Sequence, residues 1–298
     1  MTIISACGVG LSAAFFASLF TSTRRPLLAL IVSLGSAGPY FSALLYGAPL
    51  TFDGSPYDHR RSTTALVERA VLKLAPMGAM VQVAMRARQI TASRGTANDP
   101  QYCKLIALGL VLSSLGDLAL EFNLDNPNGK LFIIGLGCFL TAHIVYIFAF
   151  YRQVGGWSAS PRAGALLFAV ATALFAVLLS GGRMKAALVA PVAVYAVVIA
   201  AMVWRAIVRA AAAAAGAATA PGATAGPSAQ SGALARAGAA LFMASDAVLA
   251  LDKFYAPWAD AKMVVMVTYY AAQAGIAWSV HGSACRSATG TRVVKKHQ

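Results

Sequence analysis

Long apolar runs, separated by short polar and basic stretches, set the pattern of this chain. They lie at about Leu27 to Tyr46, Ala65 to Met85, Cys103 to Phe122, Leu131 to Tyr151, Ala163 to Leu179, Lys185 to Val208, Ala233 to Leu251 and Lys262 to His281, after a first run at Ile3 to Phe20. A helix needs about 20 mostly apolar residues to cross a bilayer core, and most of these runs approach that length. They are continuous and not alternating, so they predict helices and argue against a β-barrel. The reading is an all-α polytopic transmembrane bundle of eight core spans over residues 27–281. The first segment, residues 1–26, ends at Arg24-Arg25-Pro26 and lacks a basic start, which leaves a signal anchor, a cleaved signal and an extra span all open. From Ala210 to Gly232 the sequence turns to Ala, Gly, Pro and Ser, and this stretch reads as a flexible loop without chemistry.

Composition sharpens the picture. The 298 residues are 59% hydrophobic and 11% charged, with a mean hydropathy of +0.68. A net charge of +14 raises nucleic acid as a partner, but the Lys and Arg residues fall between apolar runs and not in a basic patch interleaved with aromatics, so they read as membrane-flanking charges. Counted over alternating sides of nine runs, one side holds 15 Lys and Arg and the other 8. The positive-inside rule puts the richer side and the basic tail, residues 282–298, in the cytoplasm. The last residues, Lys295-Lys296-His297-Gln298, resemble a dilysine retrieval signal and so point to the endoplasmic reticulum. Cys7, Cys103, Cys138 and Cys285 form no CxxC pair, which supports neither a disulfide framework nor a zinc knuckle.

Two of these runs carry an acid. In Gly238 to Phe254, Asp246 falls eight residues after a glycine and three before Leu249; in Gly109 to Phe122, Asp117 stands in the same relation to Gly109 and Leu120. An ionisable side chain at mid-membrane costs about 2.5 to 3.5 kcal/mol on insertion scales, so each asks for a reason. His143 lies 26 residues after Asp117 and Gln273 lies 27 after Asp246, which suggests a four-plus-four parallel repeat that brings the acids together. Helical spacing puts Ser113, Ser114, Asp117 and Glu121 on one polar stripe, His143 with Tyr146 on a second and Tyr269 with Gln273 on a third; each stripe should face the bundle interior. Lys73, mid-run and three residues before Pro76, is too deep to snorkel and calls for an acidic partner. Structural roles compete at every position: an ion pair for Lys73, a hydrogen-bonded core histidine for His143, helix packing for Tyr146, Tyr195, Tyr269 and Gln273.

Only His143 of the four histidines is deep in a run, so a three-histidine zinc site cannot be assembled, and no GxSxG, P-loop or GxGxxG motif occurs. No metal or cofactor is implied. What remains is acid/base chemistry by carboxylates or ion-coupled transport. With Lys73 paired to one carboxylate, one acid stays ionised and the other neutral, the division of duties that an acid-catalysed hydrolysis needs.

The same residues resemble those of the lysoplasmalogenases, or YhhN-like membrane proteins, over about Leu27 to Val280. The resemblance rests on Lys73-Leu-Ala-Pro76, Ser114-Leu-Gly-Asp117 with Leu120, Phe139-Leu-Thr-Ala-His143-Ile-Val-Tyr146, and Tyr195 with Trp204-Arg205-Ala206. It continues through Gly238 to Phe242, Ser245-Asp246, Lys253-Phe254 and Tyr269-Tyr270-Ala-Ala-Gln273. It implies an eight-span hydrolase that cleaves the vinyl ether of lysoplasmalogens to a fatty aldehyde and glycerophosphoethanolamine or glycerophosphocholine. On that reading Asp117 and Asp246 are acid and base in unassigned order. Lys73 is their charge partner, His143 and Tyr195 line the site, and Ser114, Ser245, Tyr146, Gln273 and Glu121 support it. The partners are then a lysophospholipid substrate and membrane lipid. A proton-coupled transporter or lipid translocator using the same acids is the alternative.

Overall fold

A computed structural model describes residues 63–94, 99–123, 129–154, 160–218 and 227–283. The apolar runs at Ile3 to Phe20 and Leu27 to Tyr46, His59, and the basic tail lie outside these residues. Seven helices follow in order: α1 (Thr63–Arg94), α2 (Pro100–Asn123), α3 (Lys130–Val154), α4 (Pro161–Ser180), α5 (Ala186–Ala218), α6 (Ala229–Phe254) and α7 (Ala261–Trp278). They match the last seven runs one for one, and there is no strand among the described residues.

Five of them, α2 to α6, are long and apolar enough to cross a membrane. Their outer faces carry large apolar side chains, among them Leu108, Val111 and Leu115 on α2, Ile144 and Phe148 on α3, and Leu166 and Val170 on α4. This is the arrangement of a multi-pass membrane protein, in which lipid replaces water around the bundle. The residues that alternate with them on α2, Ser113, Asp117 and Glu121, are buried, so the polar stripe turns inward as its spacing predicts.

The stretch read as a loop from Ala210 to Gly232 is mostly helix. The alanine run has the highest helical propensity available and extends α5 to Ala218, and α6 already starts at Ala229. Ser228 caps α6, its side chain accepting the Ser231 N–H at 3.1 Å.

Neighbouring contacts run α1–α2–α3–α5–α6–α7 and back to α1, a closed ring, with α4 outside it against α5 and, more lightly, α6. Small residues set the closest crossings. At Gly238 a Cβ would stand 2.7 Å from the Ala272 carbonyl oxygen, so α6 and α7 meet backbone to backbone there. A larger core of Met77, Tyr102, Ile106, Tyr146, Phe150, Met202, Phe242 and Tyr270 fills the ring. A smaller one, Phe132, Leu178, Val192 and Phe254, lies where α2, α4 and α6 end and α3 and α5 begin.

Arg205 and Arg209 depart from the reading of Lys and Arg as flanking charges, for both are 0% exposed. Arg209 donates through Nε to Gln153 Oε1 at 2.6 Å and through its terminal nitrogens to the Ser231 carbonyl and hydroxyl, and it lies 4.6 Å over the Tyr102 ring. Arg205 lies 5.1 Å over the ring of Tyr151. Both lie near the end of the predicted run on α5 and fasten that helix to its neighbours in the packed ring.

Candidate active site

The predicted site residues assemble into two groups. In the first, Lys73 of α1 reaches across to α2, its Nζ 3.3 Å from Asp117 Oδ1 and 3.7 Å from Glu121 Oε2. Asp117 and Glu121 are one turn apart on one face, so a single cation serves both. Tyr269 of α7 donates its hydroxyl to Asp117 Oδ2 at 2.5 Å. All of this is dry: the Lys73, Asp117 and Glu121 side chains are 7%, 4% and 1% exposed. The acidic partner expected for Lys73 is therefore present, twice over.

In the second group, Tyr195 of α5 donates to Asp246 Oδ2 of α6 at 2.5 Å, and His143 Nε2 of α3 stands 2.8 Å from the Tyr195 oxygen and 3.5 Å from the same Oδ2. Since the tyrosine's one proton goes to the carboxylate, its oxygen accepts from the Nε2–H of His143. Both partners hold Oδ2, and Oδ1 of Asp246 has no hydrogen-bond partner among the described residues. The Asp246 side chain is 18% exposed and is the more accessible of the two aspartates.

That exposure leads into a cavity. The cavity opens between α3, α4, α5 and α6, with Leu120 of α2 also in its wall, and is lined by Phe139, Leu174, Val192, Ile199, Met243 and Ala250 among other apolar side chains. Asp246, Tyr195 and Lys253 supply its polar groups. Asp117, Lys73 and Glu121 do not line it. A layer of rings joins the two groups: Tyr269 packs 5.4 Å from Phe242, and Phe242 packs 4.6 Å from His143. No hydrogen bond or ion pair links Asp117 to Asp246 among the described residues. The two aspartates thus have unlike surroundings, and the four-plus-four repeat gains no support from them.

The supporting residues divide as well. Tyr146 donates to Gln273 Oε1 at 3.0 Å, tying α3 to α7. The Ser114 hydroxyl turns back to the Leu110 carbonyl of its own helix, and Ser245 donates to the Val265 carbonyl, joining α6 to α7. In the sequence Tyr269 stands on a polar face shared with Gln273, and both it and Lys253 stand among the residues that carry the resemblance, with no role in the site assigned to either. Among the described residues no cluster of His, Cys, Asp and Glu has the makings of a metal site.

All these side chains lie within residues 68–280, the region matched by the profile of the YhhN family. The chain belongs to the YhhN family. Among curated relatives, this YhhN protein is 33% identical to the human lysoplasmalogenase TMEM86B over 172 residues, which are 58% of this chain and 61% of the human protein. The TMEM86B lysoplasmalogenase of Rattus norvegicus is 31% identical over 175 residues, 58% of this chain and 59% of its own, and that of Sus scrofa 29% identical over 174 residues, 58% and 62%. The chain thus spans about three fifths of the length of the curated relatives it matches. No solved structure matches it.

Proposed function

We propose that this chain is a lysoplasmalogenase: an integral membrane hydrolase that splits the vinyl ether of a lysoplasmalogen into a fatty aldehyde and a glycerophospho-base. One observation carries the reading beyond the names of its relatives. A carboxylate held by Tyr195 and His143 faces an apolar cavity between helices that lipid surrounds.

The chemistry needs one proton on carbon and one water. Asp246, entering as the acid, gives its proton to the alkenyl carbon remote from the ether oxygen, and the other carbon becomes an oxocarbenium ion beside the new carboxylate. Water adds to that cation and Asp246 takes the proton released, so one carboxyl group serves as acid and then as base. The hemiacetal passes its hydroxyl proton to the glycerol oxygen as the C–O bond breaks, freeing aldehyde and alcohol. Tyr195 and His143 anchor Oδ2 and leave Oδ1 to the substrate. Asp117 belongs with Lys73 and Glu121 in a charge cluster behind the rings, where its part is to position the bundle. The apolar walls suit one alkenyl chain.

We place the chain in the endoplasmic reticulum membrane as an eight-span bundle with a cytoplasmic C-terminus; the basic-rich side stays the richer without the buried Arg205 and Arg209. The test is release of fatty aldehyde from lysoplasmenylethanolamine by the purified chain in detergent. Asp246→Asn should lower kcat by about a hundredfold to ten-thousandfold with helicity unchanged. Substrate flux across proteoliposomes without breakdown would replace the enzyme with a translocator.

A further inference from the structure

The cavity has a second polar group. Lys253 lies seven residues beyond Asp246 on α6, which is two turns on the same face and about 10 Å along the axis. Its Nζ stands 4.2 Å over the Phe132 ring, at the end of the cavity where α6 stops. Lys253 makes no ion pair among the described residues. The neighbouring Asp252 carboxylate accepts the Trp258 N–H at 3.1 Å. Lys185, exposed just before α5, is within electrostatic reach of Lys253. The adjacent Asp252 partly offsets its charge, and a cation in the wall of an apolar cavity, two helical turns along α6 from the reacting carboxyl, is complementary to one kind of molecule.

We infer that Lys253, assisted by Lys185, binds the phosphate of the substrate's head group, so that the cavity recognises a single-chain phospholipid from both ends. In this arrangement the alkenyl double bond lies at Asp246, the glycerol backbone runs along α6, and the phosphate sits against the Lys253 ammonium. The inference rests on the reading of the cavity as the lysolipid site. A phosphate contact also fixes the register of the alkenyl group against Asp246, since the glycerol links the two rigidly enough to exclude lipids whose phosphate is missing or displaced. A lysine that only snorkels at a helix end has no such selectivity.

The experiment measures equilibrium binding of two non-hydrolysable lipids to the purified full chain in detergent: a saturated alkyl-ether lysophospholipid and the matching alkylglycerol, which lacks phosphate. Lys253→Ala should weaken the phospholipid about tenfold or more and leave the alkylglycerol unchanged, Lys253→Arg should stay close to the parent, and Lys185→Ala should show a smaller loss of the same kind. Inorganic phosphate should not displace the phospholipid. Equal binding of both lipids by Lys253→Ala and parent, or equal loss of both, overturns the inference. Displacement by inorganic phosphate alone overturns the assignment to a lipid. Because neither lipid is cleaved, these results stand even if aldehyde release fails, and in an active enzyme Lys253→Ala should raise KM for the lysoplasmalogen while leaving that for an alkenylglycerol unchanged.

Discussion

Replacing Lys73 by Met tests the charge cluster directly, because the side chain keeps its length and loses only its charge. The substitution removes the Lys73 ammonium from between Asp117 and Glu121, which stand one turn apart at 4% and 1% side-chain exposure. Solvent screening therefore does little to relieve the loss, and removing one partner of a buried ion pair costs about 3 to 5 kcal/mol. Two features set where in that range the variant falls. A cation shared by two carboxylates pushes towards the upper end, whereas the Tyr269 hydroxyl at 2.5 Å still holds Asp117 Oδ2, and the pair can take up a proton, which pulls it down. We expect about 3 kcal/mol, read from reversible unfolding in mixed micelles on titration with dodecyl sulfate, with helicity as the signal. The triple variant Lys73→Met, Asp117→Asn, Glu121→Gln carries no charge at all and should regain more than half of the loss. A single variant within about 0.5 kcal/mol of the parent, or a triple variant no better than the single, would refute the reasoning.

Asp117→Asn should keep kcat for aldehyde release within a few-fold of the parent and cost less stability than Lys73→Met, since Lys73 keeps Glu121 at 3.7 Å; a collapse of kcat with unchanged stability would put Asp117 in contact with substrate. Tyr195→Phe removes a hydrogen bond to a charged group, and kcat should fall by about ten- to a hundredfold with KM little changed in steady-state assays. Ala250→Phe puts a ring into the cavity and should raise KM for long-chain substrates more than for short-chain ones. Gly238→Ala sets a Cβ 2.7 Å from the Ala272 carbonyl oxygen and should cost about 1 to 3 kcal/mol, or more where the backbones cannot part, in the same unfolding assay.

How much of this was legible in the chain depends on the kind of signal. Apolar run length announces helices because backbone groups in lipid must be satisfied within the segment, and the seven described helices fall where those runs fall. Burial of Ser113, Asp117 and Glu121 followed from their spacing on α2, and the acidic partner of Lys73 followed from the expense of a lone cation in apolar surroundings. The extent of α5 did not follow, because an alanine-rich stretch is compatible with either a linker or a helix until it has something to pack on; Ala210 and Ala213, buried against Gly232 of α6, show that it does.

By itself, then, the sequence determined membrane character, the helices and the identity of the costly polar residues, all of which are local properties of spacing and transfer free energy. Only the tertiary structure decided which of those residues share a site. Asp117 and Asp246 share the spacing to a glycine and a leucine along the chain and have unlike neighbours in space, since helix crossings bring Lys73 and Tyr269 to one and Tyr195 and His143 to the other. The cavity beside Asp246, with Lys253 in its wall, exists because α4 stands outside the ring and leaves an unfilled space against α3, α5 and α6, and no periodicity within a single helix encodes a gap between four of them.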